Sequence, residues 1–388
     1  MKKICVISGT RAEFGLLKNL IEKLYSSSSF ETFFLVTGSH LSVRHGHTID
    51  EIHKSNIKIT STINLNINDD SQLSIVNYIS IGLREFGKEF EKIKPDLIIV
   101  LGDRYEIISA VIPACILNIP IAHIHGGEVT EGAIDDALRH AITKFSHLHF
   151  VSNEIYRKRI IQMGELPQNV FNVGAMALDA INSFELISKD QIEKDLNISF
   201  KEKNMLVTYH PETIDKNSDK NDIKNMFEAF DLFPDINFIF TLPNADFGNS
   251  QITKLIKIYA KDKKNCCVFA SLGQKNYFSI LQYVDGVIGN SSSGILEVPY
   301  FKKGTINIGD RQKGRIFSET VINCTLKKDS IIEALNKLYS KDFQSKILKS
   351  KYPYGEVGAT NKIIKILNEI NFTNLIKKSF YDLKFLKF

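Results

Sequence analysis

Short apolar runs alternate with amphipathic segments along most of the chain, and this alternation restricts the possible folds more than any other feature. In the first half, strand-like runs lie at 3–8, 32–37, 97–101, 119–124 and 147–151, and the clearest helical patterns between them lie at 71–93, 106–116 and 135–145. Strands that are connected through helices pair in parallel. The pattern therefore predicts a doubly wound α/β domain.

A second series of strand-like runs follows a pause in the pattern at residues 172–174. Its members lie at 204–209, 236–241, 266–270, 286–288 and 305–308. A chain of 388 residues is also long for a single hydrophobic core. We therefore expect two Rossmann-like domains, at 1–175 and 176–355, and a C-terminal helix or tail, at 356–388, that packs back on the first domain.

Composition excludes several classes of partner. The net charge of +5 is small for this length, which argues against nucleic-acid binding. The five cysteines form no CxxC pair and no Cys/His spacing typical of a metal site, and their apolar neighbours indicate reduced thiols. No apolar run approaches the roughly 18 residues of a membrane span, and the N-terminal run is too short for a signal peptide. We expect a soluble cytoplasmic protein without a metal ion, membrane insertion or a nucleic-acid partner.

Ionisable residues of the first domain lie where its predicted strands end or a helix begins. They are Arg11, Asp103, Arg104, His125, Glu128, Asp135 and Arg139. Ligands bind at the carboxyl ends of strands in an open parallel sheet. Two carboxylates, Asp103 and Asp135, with cations nearby suit the removal and return of a proton at carbon. Asp135 and Arg139 lie four residues apart on one helical face, so a structural ion pair is the alternative interpretation of these two.

The second domain carries a glycine- and serine-rich turn, GNSSSG at 289–294, directly after a predicted strand. Such a turn exposes backbone N–H groups at a helix start and suits phosphate oxygens, although a plain N-cap needs only one serine. Glu297 lies one turn into the predicted helix, where it can accept hydrogen bonds from a ribose diol; alone, such a residue is more often solvated.

Two further groups flank this turn. His210 follows the strand at 204–209 and either faces a cleft or is a satisfied structural histidine. Arg311, Lys313 and Arg315 follow the strand at 305–308. These three cations either neutralise a diphosphate or form a solvated loop.

Eight motifs together resemble one family. They are GTRAEF at 9–14, TGSHL at 37–41, LGDR at 101–104, HIHGGE at 123–128, DDALRHAITK at 135–144, YHPET at 209–213, GNSSSGILEVP at 289–299 and NIGDRQKGR at 307–315. Over roughly residues 2–365 the chain is similar to the hydrolysing UDP-N-acetylglucosamine 2-epimerases of bacterial sialic-acid biosynthesis. It is also similar to their relatives that act on diacetamido sugars for legionaminic acid.

This resemblance implies a glycosyltransferase-B-like fold with the active site in the cleft between two Rossmann-like domains. It implies the conversion of UDP-GlcNAc and water to ManNAc and UDP. The proton at C2 leaves while UDP departs from C1, and water then adds across the double bond of a 2-acetamidoglucal with inversion at C2. The resemblance implies no cofactor.

The resemblance also assigns roles to individual residues. Acid–base work on the sugar falls to Asp103 and Asp135, and His210 lies near the diphosphate and the anomeric centre. Substrate or UDP binding falls to Arg11, His40, Arg139, Asn244, Ser291, Ser292, Glu297 and Arg311. Several relatives carry Glu where this chain has His125, so either His125 or Glu128 can take that catalytic role.

The order in which the two aspartates act stays open. A helix start and Arg139 favour the ionised form of Asp135, whereas Asp103 ends an apolar strand and is expected to be the more desolvated carboxylate.

Several functional alternatives also fit the same residues. A non-hydrolysing epimerase would return UDP to the glucal, a glycosyltransferase would use an acceptor other than water, and a nucleotide-sugar-binding regulator would perform no chemistry. Within the hydrolysing reading, the substrate is UDP-GlcNAc or, alternatively, a UDP- or GDP-linked 2,4-diacetamido-trideoxy-hexose. We expect a homodimer or homotetramer.

Overall fold

Two parallel sheets organise the chain in a computed structural model that describes residues 1–43, 47–55, 57–67, 69, 71–130, 134–210, 219–242 and 249–383, with the backbone alone at 219–222 and 249–250. Each sheet belongs to a separate unit. Unit 1 is built from Met1–Val129, Ile134–Ser183 and Tyr354–Phe388, and unit 2 is built on Phe184–Pro353.

Unit 1 contains a seven-stranded sheet. Its strands are β1 (Lys2–Ser8), β2 (Phe30–Thr37), β3 (Ser61–Ile63), β4 (Leu97–Leu101), β5 (Ile121–Ile124), β6 (Leu148–Val151) and β7 (Val170–Asn172). They pair in the order β3-β2-β1-β4-β5-β6-β7, and each described pair is parallel. The helices between them are α1 (Arg11–Ser26), α2 (Ile49–Lys54), α3 (Gln72–Ile93), α4 (Tyr105–Ile116), α5 (Ile134–Phe145), α6 (Glu154–Gln162) and α7 (Met176–Asn182).

Unit 2 repeats the same strand order on a six-stranded sheet. Its strands are β8 (Lys203–Thr208), β9 (Ile236–Thr241), β10 (Cys266–Phe269), β11 (Gly286–Gly289), β12 (Gly304–Ile308) and β13 (Val321–Cys324). They pair in parallel in the order β10-β9-β8-β11-β12-β13. Its helices are α8 (Lys189–Leu196), α9 (Asp219–Phe230), α10 (Asn249–Ala260), α11 (Gly273–Leu281), α12 (Ser293–Leu296), α13 (Lys328–Leu338) and α14 (Lys341–Lys349).

These sheets confirm the predicted α/β class and the two doubly wound domains. In each sheet the order reverses beside the first strand, between β1 and β4 and between β8 and β11. Ligands of doubly wound folds bind at such switch points, at the carboxyl ends of the strands. The central strands are buried on both faces, as at each position of Leu97–Leu101 and Gly304–Ile308, and this explains the continuous apolar run of the first of them.

The sequence pattern misses three strands, β3, β7 and β13. Each has three or four residues and lies at the edge of its sheet. So few residues do not produce a recognisable periodicity.

The apolar spacing of α3 predicts a core face made of Leu73, Val76, Ile79, Leu83, Phe86 and Phe90, and this prediction is wrong at the start of the helix. Leu73 and Val76 are exposed, and the buried positions are Tyr78, Gly82, Phe86, Phe90 and Ile93. A methyl group on Gly82 would overlap the hydroxyl of Ser109 in α4. The two helices therefore pack closely at Gly82. A glycine has no side chain and so does not appear in a pattern of apolar residues.

The chain leaves unit 1 after α7 and returns to it at α15 (Ala359–Glu369). The carboxylate of Asp179 in α7 accepts hydrogen bonds from the N–H groups of Gly358 and Thr360, both 2.6 Å away. The carbonyl of Asp179 also accepts from the amide of Asn19 in α1, at 2.7 Å. These hydrogen bonds join α7 and α15 within unit 1, whose second segment ends at Ser183.

Candidate functional site

The carboxyl edge of the unit 1 sheet presents a carboxylate that is held by a buried arginine. Asp103 follows β4 after Gly102, and the Asp103 carboxylate forms an ion pair with Nη2 of Arg139 in α5. Arg139 is only 2% exposed. Its Nη1 donates to the carbonyl of Glu128 and to Oδ1 of Asp136, each at 3.1 Å.

Burial alone would lower the pKa of Arg139, but the carboxylates of Asp103 and Glu128 outweigh it, and the pKa is raised. The guanidinium is therefore a fixed positive charge beneath the Asp103 side chain. A buried charge of this kind needs partners on several sides, which Asp103, Asp136 and the Glu128 carbonyl supply.

Asp135 and Asp136 have different surroundings at the start of α5. The sequence spacing places Asp135 and Arg139 on one helical face, and in the structure Asp136 forms an ion pair with Arg139 and approaches His140 at 3.4 Å. Asp135 is half-buried in the first turn of the helix. Arg139 therefore pairs with one carboxylate of its own helix, Asp136, and with one distant in sequence, Asp103.

His125 and Glu128 lie together after β5. His125 has a φ of +65°, a backbone conformation that is unusual for a residue other than glycine. Its Nδ1 lies 3.5 Å from Oε1 of Glu128, and both side chains are buried. The imidazole thus lies beside a carboxylate three residues later, close enough for an ion pair when the histidine is protonated.

His123, which the sequence analysis does not single out, holds this edge in place. Its Nε2 lies 2.7 Å from the carbonyl of Gly102, and its Nδ1 lies 3.2 Å from the hydroxyl of Thr143. Burial lowers the pKa of His123 to about 3, so it is a neutral structural histidine. The sequence pattern of β5 gives no signal for this role, because each residue of that strand is buried and burial does not alternate along it.

His40 uses both ring nitrogens inside the chain. Nε2 lies 3.0 Å from the hydroxyl of Ser8, and Nδ1 lies 2.8 Å from the hydroxyl of Thr48. Burial lowers the pKa of His40 to about 4, so it is neutral at pH 7. The fully buried ring joins the end of β1 to the residue before α2. Arg11, at the start of α1, is more exposed, and its Nη1 lies 3.9 Å from a carboxylate oxygen of Glu51.

Two buried carboxyl groups, Glu13 and Glu106, also lie at this edge and are absent from the residues that the sequence analysis selects. Glu13 belongs to the motif GTRAEF, and Glu106 lies two residues after the motif LGDR. Their positions in the first turns of α1 and α4 are typical of solvated caps, and only the structure reveals their burial.

In unit 2, Asn290 connects three of the predicted groups. Its Oδ1 accepts from the N–H of His210 at 2.7 Å, and its Nδ2 donates to the carbonyl of His210 at 2.8 Å. The Asn290 carbonyl accepts from Nη1 of Arg311 and from Nε2 of Gln312, both at 2.9 Å. This fully buried amide fixes the ends of β8 and β11 and the loop after β12 to one another.

The serine turn follows β11 in a conformation that requires glycine. Gly289 has a φ of +141°, and a methyl group on it would overlap the carbonyl oxygen of Thr208. Ser291 and Ser292 are half-buried in the turn, and Ser292 is the N-cap of α12. This helix has only four residues, Ser293–Leu296, so it is shorter than predicted and Glu297 is its C-cap rather than an interior residue.

The hydroxyl of Ser293 contacts other side chains of the protein. Its hydroxyl makes short contacts with the hydroxyl of Tyr277 and with Oε2 of Glu297. Burial raises the pKa of Glu297, and the bond from Ser293 opposes that shift. The third serine therefore fixes the orientation of Glu297.

The remaining predicted residues differ in their exposure to solvent, and one of them is not described. Arg311 is half-buried beside Asn290, Lys313 is exposed and Arg315 is half-buried. Asn244 lies outside the described residues. Among the described side chains, no group of three or more His, Cys, Asp or Glu residues could hold a metal ion. Within the same part of the chain, no helix is both long and apolar enough to cross a membrane.

Comparison with known proteins places the chain in a family. Residues 22–368 match the family model described as UDP-N-acetylglucosamine 2-epimerase. The chain is 39% identical over 384 residues to GDP/UDP-N,N'-diacetylbacillosamine 2-epimerase (hydrolyzing) of Campylobacter jejuni, which covers 98% of this chain and 99% of the relative. It is 38% identical over 385 residues to the polysialic acid biosynthesis protein P7 of Escherichia coli, which covers 99% of this chain and 98% of the relative.

The fold has a counterpart among solved structures. The crystal structure of UDP-GlcNAc 2-epimerase from Neisseria meningitidis bound to UDP-GlcNAc aligns with a TM-score of 0.82 at 20% identity, over 95% of this chain and 100% of that one. The family match, the two long alignments and the common fold agree with the motifs of the sequence. The chain therefore belongs to the UDP-N-acetylglucosamine 2-epimerase family, as an enzyme of the hydrolysing nucleotide-sugar 2-epimerase type.

Proposed function

We propose that the protein converts UDP-GlcNAc and water to ManNAc and UDP. The observation that carries this proposal is the Asp103 carboxylate, which a buried arginine holds at the carboxyl edge of the unit 1 sheet. A carboxylate in this position suits proton transfer to or from a substrate carbon.

The reaction has two halves. In the first, the C2–H and C1–O bonds break, a C1=C2 bond forms, and UDP leaves with the electron pair of its glycosidic bond. In the second, water supplies the hydroxyl at C1, and a proton returns to C2 from the opposite face. We propose Asp103 and Asp135 for acid–base work on the sugar, with either His125 or Glu128 as a third group.

The closeness of His125 and Glu128 supports this third role. Their separation of 3.5 Å places the two side chains close enough for an ion pair when the histidine is protonated, which suits a group that takes part in proton transfer. Arg139 and, in the same unit, Arg11 and His40 are proposed to position the sugar and the nucleotide.

For unit 2 we propose diphosphate and ribose binding. The N–H groups and hydroxyls of Ser291 and Ser292 and the guanidinium of Arg311 suit phosphate oxygens, because they combine hydrogen-bond donors with a fixed charge. His210 is proposed to act near the anomeric oxygen, Glu297 to bind the ribose, and Asn244 to contribute to substrate binding. The hydrogen bonds of Asn290 support a common site, since its side chain holds His210 and its backbone carbonyl holds Arg311.

A second candidate substrate is a 2,4-diacetamido-trideoxy-hexose linked to UDP or GDP. The name of the Campylobacter jejuni relative favours it, because that protein is described as acting on N,N'-diacetylbacillosamine with GDP or UDP. The name of the Escherichia coli relative, which refers to polysialic acid, favours ManNAc as the product and a role in sialic-acid synthesis. A cytoplasmic location and a homodimer or homotetramer are also proposals.

Incubation of the purified chain with each nucleotide sugar separately tests the proposal. In deuterated buffer, we expect UDP release from UDP-GlcNAc and one deuterium at C2 of free ManNAc. In ¹⁸O-labelled water, the released UDP should carry no label, because the C1–O bond breaks rather than a P–O bond. Faster release from the diacetamido sugar would support the second candidate instead.

Three results would contradict the hydrolysing reaction. UDP-ManNAc as the product would indicate a non-hydrolysing epimerase. Consumption of the donor only when an acceptor other than water is present would indicate a glycosyltransferase. Absence of nucleotide release from each UDP- and GDP-linked sugar would indicate a binding protein.

A further inference from the structure

Two carboxyl side chains are buried together where β2, β1 and β4 end. Glu13 lies in the first turn of α1 and is 5% exposed, and Glu106 lies in the first turn of α4 and is fully buried. The three strands are neighbours in the sheet, so their carboxyl ends lie side by side. The acid–base groups proposed above do not include either residue.

Two glycines show how closely these side chains pack. A methyl group on Gly9 would lie 3.2 Å from Cβ of Glu106 and 3.5 Å from Oε2 of Glu13. A methyl group on Gly38, which has a φ of +63°, would lie 2.8 Å from Cγ of Glu106 and 2.6 Å from the carbonyl of Gly9. Both glutamate side chains therefore pack against Gly9, and that of Glu106 also packs against Gly38.

The hydrogen bonds of the pair are unequal. Nε of Arg104 donates to Oε2 of Glu106 at 3.1 Å, and Nη2 donates to Oε1 at 3.3 Å. Glu13 has no such cation: its Oε2 accepts from the N–H of Gly9 at 2.6 Å, and its Oε1 has no hydrogen-bond partner among the described residues.

The charged and titratable groups around Glu13 come from three elements. Glu106 belongs to α4, Arg104 and Asp103 precede that helix, and His40 belongs to the turn Gly38–Leu41, where it is neutral. Two ionised glutamates and Asp103 would thus surround one arginine, Arg104, which is itself partly exposed. Two carboxylates that share a buried site do not ionise together without a large cost.

We infer that the two glutamates together carry a single proton, which resides on Glu13. This pair of one neutral and one charged carboxyl group positions the turns that bear Arg11 and Asp103. Glu106 keeps the negative charge and the bond to Arg104, which adjoins Asp103. Glu13 keeps its bond to Gly9, two residues before Arg11. Glu13 is thus a positioning residue of the proposed reaction, and its proton does not transfer to the sugar.

The electrostatics agree with this assignment. Burial, with a further contribution from the charge of Glu106, raises the pKa of Glu13 from 4.5 to about 8. Above that pH, a second negative charge in the pocket would compete with Glu106 for Arg104 and disturb the residue beside Asp103. We therefore expect turnover to fall above about pH 8.

The substitution Glu13→Gln tests this inference. Glutamine has the same shape, keeps an acceptor for the Gly9 N–H and cannot ionise. We expect kcat at pH 7 to stay within a few fold of the unaltered protein, and the fall in activity on the alkaline side to disappear. The matched control is Glu22→Gln, an exposed position of the same helix, which should leave the profile unchanged.

Thermal unfolding supplies a readout that does not use turnover. Because the pKa of Glu13 is raised in the folded state, the folded protein binds one more proton than the unfolded chain between pH 4.5 and about 8. Its stability should therefore fall as the pH rises through this window. For Glu13→Gln the fall should be smaller, so the difference in Tm between variant and parent should grow from pH 5 to pH 8.

Infrared spectroscopy detects the proton directly. We expect a carbonyl band of a protonated carboxyl group at pH 7 that is lost as the pH rises past about 8 and is missing in Glu13→Gln. If that variant does not fold, Glu106→Gln gives the same information. It removes the charge that raises the pKa of Glu13, so the band and the alkaline limb should both move to lower pH.

Three outcomes would overturn the inference. They are loss of turnover at each pH in a folded Glu13→Gln protein, an alkaline limb that the variant retains, and a protein without the carboxylic-acid band at pH 7. The turnover readout rests on the proposed function, whereas the infrared and Tm readouts do not. Failure of the parent to release UDP would thus reject the proposed reaction and leave the proton of Glu13 to be decided by the other two measurements.

Discussion

Arg139 carries a fixed charge into a position that water scarcely reaches, and it connects several groups at the carboxyl edge of the unit 1 sheet. Its partners come from three places in the chain: Asp103 after β4, Asp136 in its own helix, and the carbonyl of Glu128 after β5. A buried ion pair adds little net stability, but removing one partner leaves an uncompensated charge. We interpret the arrangement as one that fixes the position of Asp103 rather than as a source of stability.

The first prediction at the residue scale concerns Asp103. Asp103→Asn keeps the size and an acceptor for Arg139 but cannot exchange a proton in the same way. We expect kcat for UDP release to fall by about 10²- to 10⁴-fold, the range typical of acid–base groups, with a much smaller change in KM. Steady-state kinetics on UDP-GlcNAc, with calorimetry of substrate binding, would measure both effects.

Asp136→Asn is the matched control for this prediction. Asp136 pairs with the same guanidinium at 3.1 Å but has no proposed role in proton transfer. It should keep kcat within several fold of the parent. An equal loss in both variants would show that the ion-pair network, and not proton transfer by Asp103, limits turnover.

At the scale of elements, the turn between β11 and α12 determines what unit 2 offers a ligand. The helix is too short to act through its dipole over several turns, since it ends at Leu296. The proposed phosphate binding would depend instead on local N–H groups, the two leading serines and Arg311. The geometry of β11 against β8 sets the direction of these groups, because Gly289 passes directly over the carbonyl of Thr208.

Gly289→Ala should therefore destabilise this junction. The added methyl group combines an unfavourable φ with an overlap that the β8 backbone cannot relieve, and we expect a loss of about 3 kcal/mol in the free energy of unfolding. Gly273→Ala is the control, because Gly273 also has a positive φ, +68°, but has open space around it. It should cost about 1 kcal/mol. Urea unfolding of both variants measures the difference, and equal losses would contradict the proposed overlap.

At the scale of the whole molecule, unit 1 is closed by residues from the end of the chain. After α15 a 3-10 turn, Phe372–Leu375, leads into an extended segment in which Nζ of Lys378 donates to the carbonyls of Lys144 and Ser146, at 2.6 and 2.7 Å. Lys378 also pairs with Oε2 of Glu165 at 2.8 Å. The N–H of Tyr381 donates to the carbonyl of Gly164 at 2.9 Å.

These contacts make the acid stability of unit 1 depend on the tail. Burial acts to raise the pKa of Glu165, but His149, Lys144 and Lys378 lower it to about 2. A depressed carboxyl pKa contributes stability that is present above the ordinary value and is lost as the pH falls toward the folded value. Unit 1 should therefore lose stability between pH 4.5 and about 2 as Glu165 is protonated.

Lys378→Met should raise the pH at which the protein unfolds in acid and destabilise it by about 1–3 kcal/mol at pH 7, because two carbonyls and a carboxylate lose a donor. Hydrogen exchange of the Tyr381 amide should also become faster. Lys377→Met, at the exposed neighbouring position, is the control and should change neither quantity. Unchanged exchange at Tyr381 in Lys378→Met would contradict the role of this lysine.

The sequence by itself determined the class of fold and the side of each sheet on which the chemistry lies. Alternating apolar runs require parallel strands connected through helices, and parallel strands end at one edge. Asp103, His125, His210 and Ser291 therefore lie at strand ends, as their positions after apolar runs predict. Motifs that span several elements identified the family for the same reason, since they mark those strand ends.

Only the tertiary structure decided which of these groups are partners. Asp103 and Arg139 are 36 residues apart, and His210 and Asn290 are 80 residues apart. Spacing along one helix places Arg139 on the same face as Asp135, whereas the tertiary structure also brings Asp103, which follows β4, to this arginine. The burial of Glu13 and Glu106 has the same origin, because each glutamate by itself resembles a solvated helix start. Local sequence fixes the face of an element, but distant elements pack against that face, and packing determines both the burial of a charge and the partner that compensates it.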